Sequence, residues 1–288
     1  MHTLQAMPSA QARFMRFMSR GGLAGWIGLG LLLFITLVAV FAPWIAPHDP
    51  LEQSIVNRLL PPSPEFLLGT DSYGRDVLSR IIYGARVSLV VGFVSILIAM
   101  TVGTVVGVVS GYVGGRFDQL VMAIVDVMLS FPSLLLGLMV AAVLGASIEN
   151  LIIAIAITEV APFVRLARAP TLALKEKEFI EAGRALGFGH ARLMSVHILP
   201  NLMADILVMG SLWMATAIRT EASLSFIGLG VRPPTATWGG MIREGFENIL
   251  DAWWLAVFPS LAVLLVVLAL NLLGDALRDA VDPKYRKG

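Results

Sequence analysis

Apolar residues in this chain gather into long uninterrupted blocks, with little sign of the alternation that marks a half-buried strand. Crossing the hydrocarbon core of a bilayer takes roughly 20 mostly apolar residues in a helix, and six blocks reach that length. The first covers residues 23–45. The second, 87–115, contains no charge. The third, 120–144, is interrupted only by Asp126 and is open to a kink at Pro132. The fourth, 148–166, has Glu149 and Arg165 near its ends and Glu159 and Pro162 further in. The fifth, 202–226, carries Asp205 near its start and Arg219 and Glu221 near its end, and the sixth, 252–274, has no charge. Three polar stretches separate them. Segment 46–86 carries Pro47, Pro50, Pro61, Pro62 and Pro64 and reads as extended or loop-rich. Residues 166–201 form a long loop, and 228–251 a second one rich in Gly, Pro and Trp. The predicted fold is all-α, a polytopic membrane helix bundle of about six transmembrane helices.

Composition agrees. Of the 288 residues 57% are hydrophobic and 14% charged, with a mean hydropathy of +0.81; a soluble domain carries nearer a quarter charged residues. The first block is too long for the apolar region of a cleavable leader and lacks a small-residue cleavage site, so it is expected to remain as a span. With the N-terminus placed inside, arginine and lysine favour the inner segments two to one, as the positive-inside rule requires. Both termini are then cytoplasmic. A net charge of +1 gives no sign of nucleic-acid binding. The chain has no cysteine, and His2, His48, His190 and His197 show no metal-ligand spacing.

The inner loop 166–201 is the most informative stretch. Phe179, Ala182, Gly183 and Leu186 recur at helical spacing, with Glu178, Glu181 and Arg184 on other faces. Gly187-Phe188-Gly189 then breaks the helix. A second short helix is expected over 190–197, and Pro200 is expected to limit its continuation. Two short helices joined at a sharp bend suit either an amphipathic connector lying on the membrane surface or a knob that fits a groove on a partner protein.

At these residues the chain resembles a known family. Glu181-Ala182-Gly183, then Gly187, then Leu199-Pro200 resembles the EAA motif of bacterial ABC importer permeases, with Gly183 standing where Ala is usual and His197 where Ile is usual. Three further segments resemble signatures of the dipeptide/oligopeptide/nickel permease subfamily. They are Leu68-Gly69-Thr70-Asp71 with Gly74-Arg75-Asp76; Ser225-Phe226-Ile227-Gly228-Leu229-Gly230 with Pro233-Pro234 and Trp238-Gly239; and Leu273-Gly274-Asp275-Ala276-Leu277-Arg278-Asp279 with Asp282-Pro283. The proline-rich outer segment is similar to that of the second permease subunit type.

The resemblance implies an inner-membrane subunit that pairs with a homologous permease and docks one or two cytoplasmic ABC ATPases. It also implies an outer, periplasmic substrate-binding protein that delivers the solute, most often a dipeptide or oligopeptide. Glu181, Ala182, Gly183, Gly187, Leu199 and Pro200 would form the ATPase-docking loop, 167–201. The chain then divides into a cytoplasmic tail (1–22), a first helix (23–45), an outer segment (46–86), a permease domain (87–277) and a second tail (278–288). No cofactor is expected in this chain, ATP and Mg being held by the partner ATPases. No enzyme activity of its own is expected either, since no Gly-x-x-x-x-Gly-Lys-Ser/Thr loop is present to cradle phosphates.

Ionisable groups within spans are costly in lipid and face the protein interior or a water-filled path. Asp126 and Glu159 are therefore candidates for the translocation path as well as for interhelical pairing, and Asp205 reads as a cap or interface group. Those two acids alone would also suit an ion-gradient-driven secondary transporter, although no inverted repeat is evident. An intramembrane protease lacks its Gly-x-Ser-x-Gly or His-Glu-x-x-His motif. Gly103, Gly107 and Gly111 form a ridge for close helix approach. Met122, Met128 and Met139 read as packing residues, and Trp253 and Trp254 fit an aromatic interface belt.

Overall fold

The computed structural model describes residues 22–281, so the tails expected over 1–22 and 278–288 lie mostly outside the described residues. Among those described, no strand forms beyond an isolated bridge between Thr70 and Asp76. The long helices are α1 (Gly22–Val40), α2 (Val77–Val113), α3 (Gly115–Ser130), α4 (Ser133–Leu144), α5 (Ile148–Leu174), α7 (His190–Ile227) and α9 (Trp254–Val281). Two shorter helices are α6 (Glu178–Ala185) and α8 (Trp238–Glu247). Five helices are long and apolar enough to cross a membrane, and α3 with α4 makes a sixth span if the bent pair counts as one.

Several boundaries differ from the hydropathy reading, each for a local reason. Helix α2 starts at Val77, not at the apolar run from residue 87, because the Asp76 carboxylate accepts from the Ser79 N–H and caps it. The helix thus takes in residues 77–86 of the polar stretch 46–86. Block 120–144 is not one kinked helix: α3 and α4 meet at 96°. Pro132 lacks an N–H and forces Phe131 into extended backbone (φ −89°, ψ 140°). Pro162 and Pro170 leave α5 unbroken; that helix is packed on by α2, α3, α4 and α7, whereas residues 131–135 are exposed. Pro200 does not end its helix either. A π-helical turn, Leu193–Ile198, precedes it, with the Leu199 N–H bonding to Met194 O, so Pro200 falls in the first turn of a new α segment, where its missing N–H is harmless. The His197 carbonyl is taken up by Asn201 Nδ2 at 2.6 Å.

The bundle centres on α2 against α5. A Cβ added to Gly103 would lie 2.8 Å from Val160 O. One on Gly107 would lie 2.4 Å from Val164 O, and one on Gly111 2.9 Å from Arg168 O. The ridge thus brings the two backbones together, where dispersion contacts hold helices in a solvent that supplies little hydrophobic drive. The core continues through Phe163, Leu151, Ile206 and Leu224. Helix α1 lies along α9 and α2, with Gly25 and Gly28 against Ala276 and Leu272.

At the end of the bundle where α7 finishes and α9 begins, loop 228–251 contains α8, which wedges between α7 and α9: Gly239 abuts Ala222 O and Gly245 abuts Leu255. Trp238, buried, donates its indole N–H to Ile81 O at 3.0 Å. Trp254 is buried as well and donates to Thr70 O at 3.2 Å; of the Trp253–Trp254 pair, Trp253 alone has the exposure expected of a belt residue.

Candidate functional site

The loop between α5 and α7 builds a knob at the end of the bundle opposite α8. Its first turn is set by the Ile180 N–H bonding to Lys177 O. Its end is a Schellman motif: the Phe188 N–H bonds to Gly183 O at 3.0 Å and the Gly187 N–H to Arg184 O at 2.9 Å. Gly187 takes φ +78°, and nothing lies within 4 Å of where its Cβ would be. Backbone angle, not crowding, is what requires glycine there.

The expected stripe of Phe179, Ala182, Gly183 and Leu186 divides. Ile180 and Gly183 turn inward onto Leu193 and Phe188, and a Cβ on Gly183 would sit 2.9 Å from Leu193 Cδ2. Phe179, Ala182 and Leu186 point outward; Leu186 is 74% exposed while Ile180 is wholly covered. Glu181 is exposed and makes no hydrogen bond or ion pair among the described residues. The knob therefore presents two large apolar side chains beside free acidic ones. Leu199 is half-buried and joins the core, while Pro200 is exposed. His197, in place of the usual Ile, stacks on Phe188 (centroids 5.7 Å apart, planes at 11°), and Arg192 lies 4.2 Å from the Phe188 ring centre.

The knob is tied to the spans by residues that sequence reasoning did not single out. Tyr112, at the C-terminal end of α2, shares a 2.8 Å hydrogen bond with His190 Nδ1, and the Arg184 guanidinium sits 5.7 Å from its ring. Asp118 of α3 accepts both arms of Arg168 of α5 at 2.5 and 2.6 Å and also the Ser110 hydroxyl at 2.6 Å. These partners lie far apart in sequence, so no local spacing marks them.

The two path candidates do not meet each other. Asp126 of α3 pairs with Arg165 of α5 at 2.6 Å, with 61% and 54% of their side chains exposed. Glu159 is buried in α5, with no hydrogen bond to its carboxylate among the described residues; Arg219 of α7 is the charge that acts on it. Asp205 is exposed without a partner among the described residues. An exposed ion pair within spanning helices is not stable against lipid and belongs against protein or water. The Asp126–Arg165 pair therefore sits against protein or water. By contrast, α1 and α9 expose Leu33, Phe34, Leu37, Leu261, Leu264 and Leu268.

At the α8 end of the bundle the Gly69–Asp76 segment folds into a polar knot. Asp71 Oδ2 accepts from Arg75 Nε at 2.6 Å and forms an ion pair with Arg80, whose Nε lies 3.2 Å away out of hydrogen-bonding alignment; all three residues are buried. Glu244 of α8 accepts from the Ser72 N–H at 3.0 Å and from its hydroxyl, and lies 3.5 Å from Arg75. A cavity of 350 Å³ opens beside the knot, lined among others by Arg75, Arg232, Arg243, Glu244 and Glu247. Glu221 is fully buried in α7, where its carboxylate accepts from Ser88 at 2.9 Å and Ser225 at 2.8 Å and pins α7 to α2.

Residues 103–287 match the family described as binding-protein-dependent transport system inner membrane component. Residues 24–62 match the N-terminal TM domain of oligopeptide transport permease C. The chain is 45% identical to the di/tripeptide transport system permease protein DppC of Pseudomonas aeruginosa, over 90% of this chain and 88% of that protein. It is 39% identical to a probable D,D-dipeptide transport system permease protein of Escherichia coli, over 98% and 96%. To a glutathione transport system permease protein of Pectobacterium atrosepticum it is 42% identical, over 95% and 91%.

Proposed function

This chain belongs to the family of binding-protein-dependent transport system inner membrane components, and from that premise we propose that it forms half of the translocation pathway of an ATP-driven importer of small peptides. The observation that carries the mechanism is the knob at residues 178–189. Its inward face, Ile180 and Gly183, is locked onto α7, and its outward face offers Phe179, Leu186 and the unpaired Glu181. A loop that merely lay in the membrane surface would not need a Schellman end, an aromatic stack and a link to α2. An element that must carry force does.

In this reading an ATPase groove takes Phe179, Ala182 and Leu186, and a basic group on its rim takes Glu181. Closure of the ATPases pushes the knob, and Tyr112–His190 and Asp118–Arg168 pass the displacement to α2, α3 and α5. The α3–α5–α7 side, with Asp126–Arg165, Glu159 and Arg219, faces a homologous permease and the solute path. The outer binding protein docks over the polar knot and α8. In this reading the knob is cytoplasmic, and so are the start of α1 and the end of α9, in keeping with the charge asymmetry of the loops. Small peptides are the proposed solute because relatives named for di/tripeptides, D,D-dipeptides and glutathione all align over nearly the full chain.

The test is reconstitution of this chain with its ATPases, sister permease and binding protein in proteoliposomes. Peptide uptake should require ATP, and Gly187→Val should abolish ATPase docking. Uptake driven by an ion gradient without ATPases would overturn the reading.

A further inference from the structure

A groove of 600 Å³ runs between α1 and α2 on the lipid-facing side of the bundle, with Met214 of α7 among its lining residues. Its lining is apolar (Leu32, Leu89, Val90, Phe93, Val94) except for Thr36, whose hydroxyl is already spent on Leu32 O at 2.8 Å, and Arg86. From Arg86 to Val94 the groove descends about 12 Å along α2 at the helical rise, close to the depth of one leaflet's hydrocarbon, about 15 Å.

Arg86 also lines a second cavity, of 710 Å³, which lies on the outer side with Pro43, His48, Asp49, Tyr83 and Thr235. One cation thus joins an apolar slot to a polar chamber. It is exposed and pairs with no carboxylate among the described residues; its recorded contact is the ring of Tyr83 at 6.0 Å. The level is that of the membrane interface, since the charge-free stretch of α2 begins at the next residue and exposed Phe41 and Trp44 pack together just after α1. In the chamber, Asp49 Oδ1 accepts from the Leu51 N–H at 2.8 Å, and Oδ2 has no partner among the described residues.

We infer that this junction is a phospholipid site: an acyl chain lies along Leu89, Phe93 and Met214, the phosphate rests on Arg86, and a headgroup ammonium reaches Asp49. The charges occur in the order in which a zwitterionic ethanolamine lipid presents its own, and the apolar slot lies beside α1, which carries no charged residue. The occupant is a single lipid molecule held between α1 and the rest of the bundle, a clamp on a helix that otherwise leans chiefly on α9 and α2.

The assembled complex, purified and delipidated in detergent, should be titrated with dioleoylphosphatidylethanolamine and, separately, with dioleoylphosphatidylglycerol, with bound lipid counted by native mass spectrometry. Wild type should retain the ethanolamine lipid more tightly. Loss of one interfacial cation in Arg86→Gln should weaken both lipids about fivefold, while Arg86→Lys keeps binding. Asp49→Asn should erase the preference for ethanolamine without weakening the glycerol lipid. Both residues are exposed, so the variants should assemble. A photo-crosslinker at Val90 in the intact complex should capture lipid. Equal binding by wild type and Arg86→Gln, or a Val90 crosslink to the sister permease, would overturn the proposal.

Discussion

Replacing Leu186 by alanine should cut ATPase docking while leaving the permease itself intact. Leu186 is 74% exposed and Ile180 wholly covered, although Ile180 lies in α6 and Leu186 directly caps its end. Burying a leucine side chain completely contributes about 2 kcal/mol. Roughly three quarters of that, about 1.5 kcal/mol, is still available to a partner, which corresponds to about a tenfold change in affinity. Phe179→Ala should act similarly, and the two substitutions together should bring docking down about a hundredfold if their contacts are independent. Ile180→Ala should behave in the opposite way. It removes contacts that already exist inside the chain, so it should lower the stability of the permease by about 2–5 kcal/mol before any partner is added. The assay has two readouts on each variant: thermal unfolding of the permease in detergent, and the affinity of purified ATPase for it by surface-immobilised binding. The expected pattern is unchanged unfolding with weakened binding for Leu186→Ala, and lowered unfolding for Ile180→Ala. If Leu186→Ala binds ATPase as wild type does, the outward face of α6 is not the docking surface and the reasoning fails.

Three further outcomes follow from the packing. Gly107→Ala places a methyl 2.4 Å from Val164 O and should destabilise the bundle by about 1–3 kcal/mol, whereas Gly30→Ala, with open space around it, should leave the melting temperature unchanged or slightly raised. Asp71→Asn strips the buried Arg75 and Arg80 of the carboxylate they share and should cost about 3–5 kcal/mol, read as a lowered unfolding temperature and poor recovery from membranes. Glu159→Gln should lower the rate of peptide uptake in proteoliposomes with ATP hydrolysis retained. Unchanged uptake with an altered melting temperature would assign Glu159 to packing alone.

The division between sequence and structure is clearest in particular residues. Block lengths fixed the spans because a bilayer leaves the backbone no choice but helix, and apolar runs of the right length are a local property. The glycine ridge at Gly103, Gly107 and Gly111 was legible for the same reason: its spacing lies within one helix, and the structure sets it against α5. The helix-breaking role of Gly187 was legible too, since a Schellman end is a contact among close neighbours. Proline was read less well. Pro132, Pro162 and Pro200 share one chemistry, yet the first bends the chain by 96° and the other two are absorbed. What decides is whether neighbouring helices hold the segment, and a π turn before Pro200 has no signature in residue order.

By itself the sequence determined that this is a membrane bundle of about six spans, which end of it carries the bent loop, and which family the chain resembles. Only the tertiary structure decided which face of α6 is covered, that Trp254 is a buried donor to Thr70 and not a belt residue, and that Arg165 answers Asp126. It also decided that Ser72 and Arg75 are held by Glu244, a residue 172 and 169 positions away. The reason is physical: spans and turns are set by interactions within a few residues, while a polar group inside a bundle must find its partner on another helix, and which helix that is depends on how the whole chain packs.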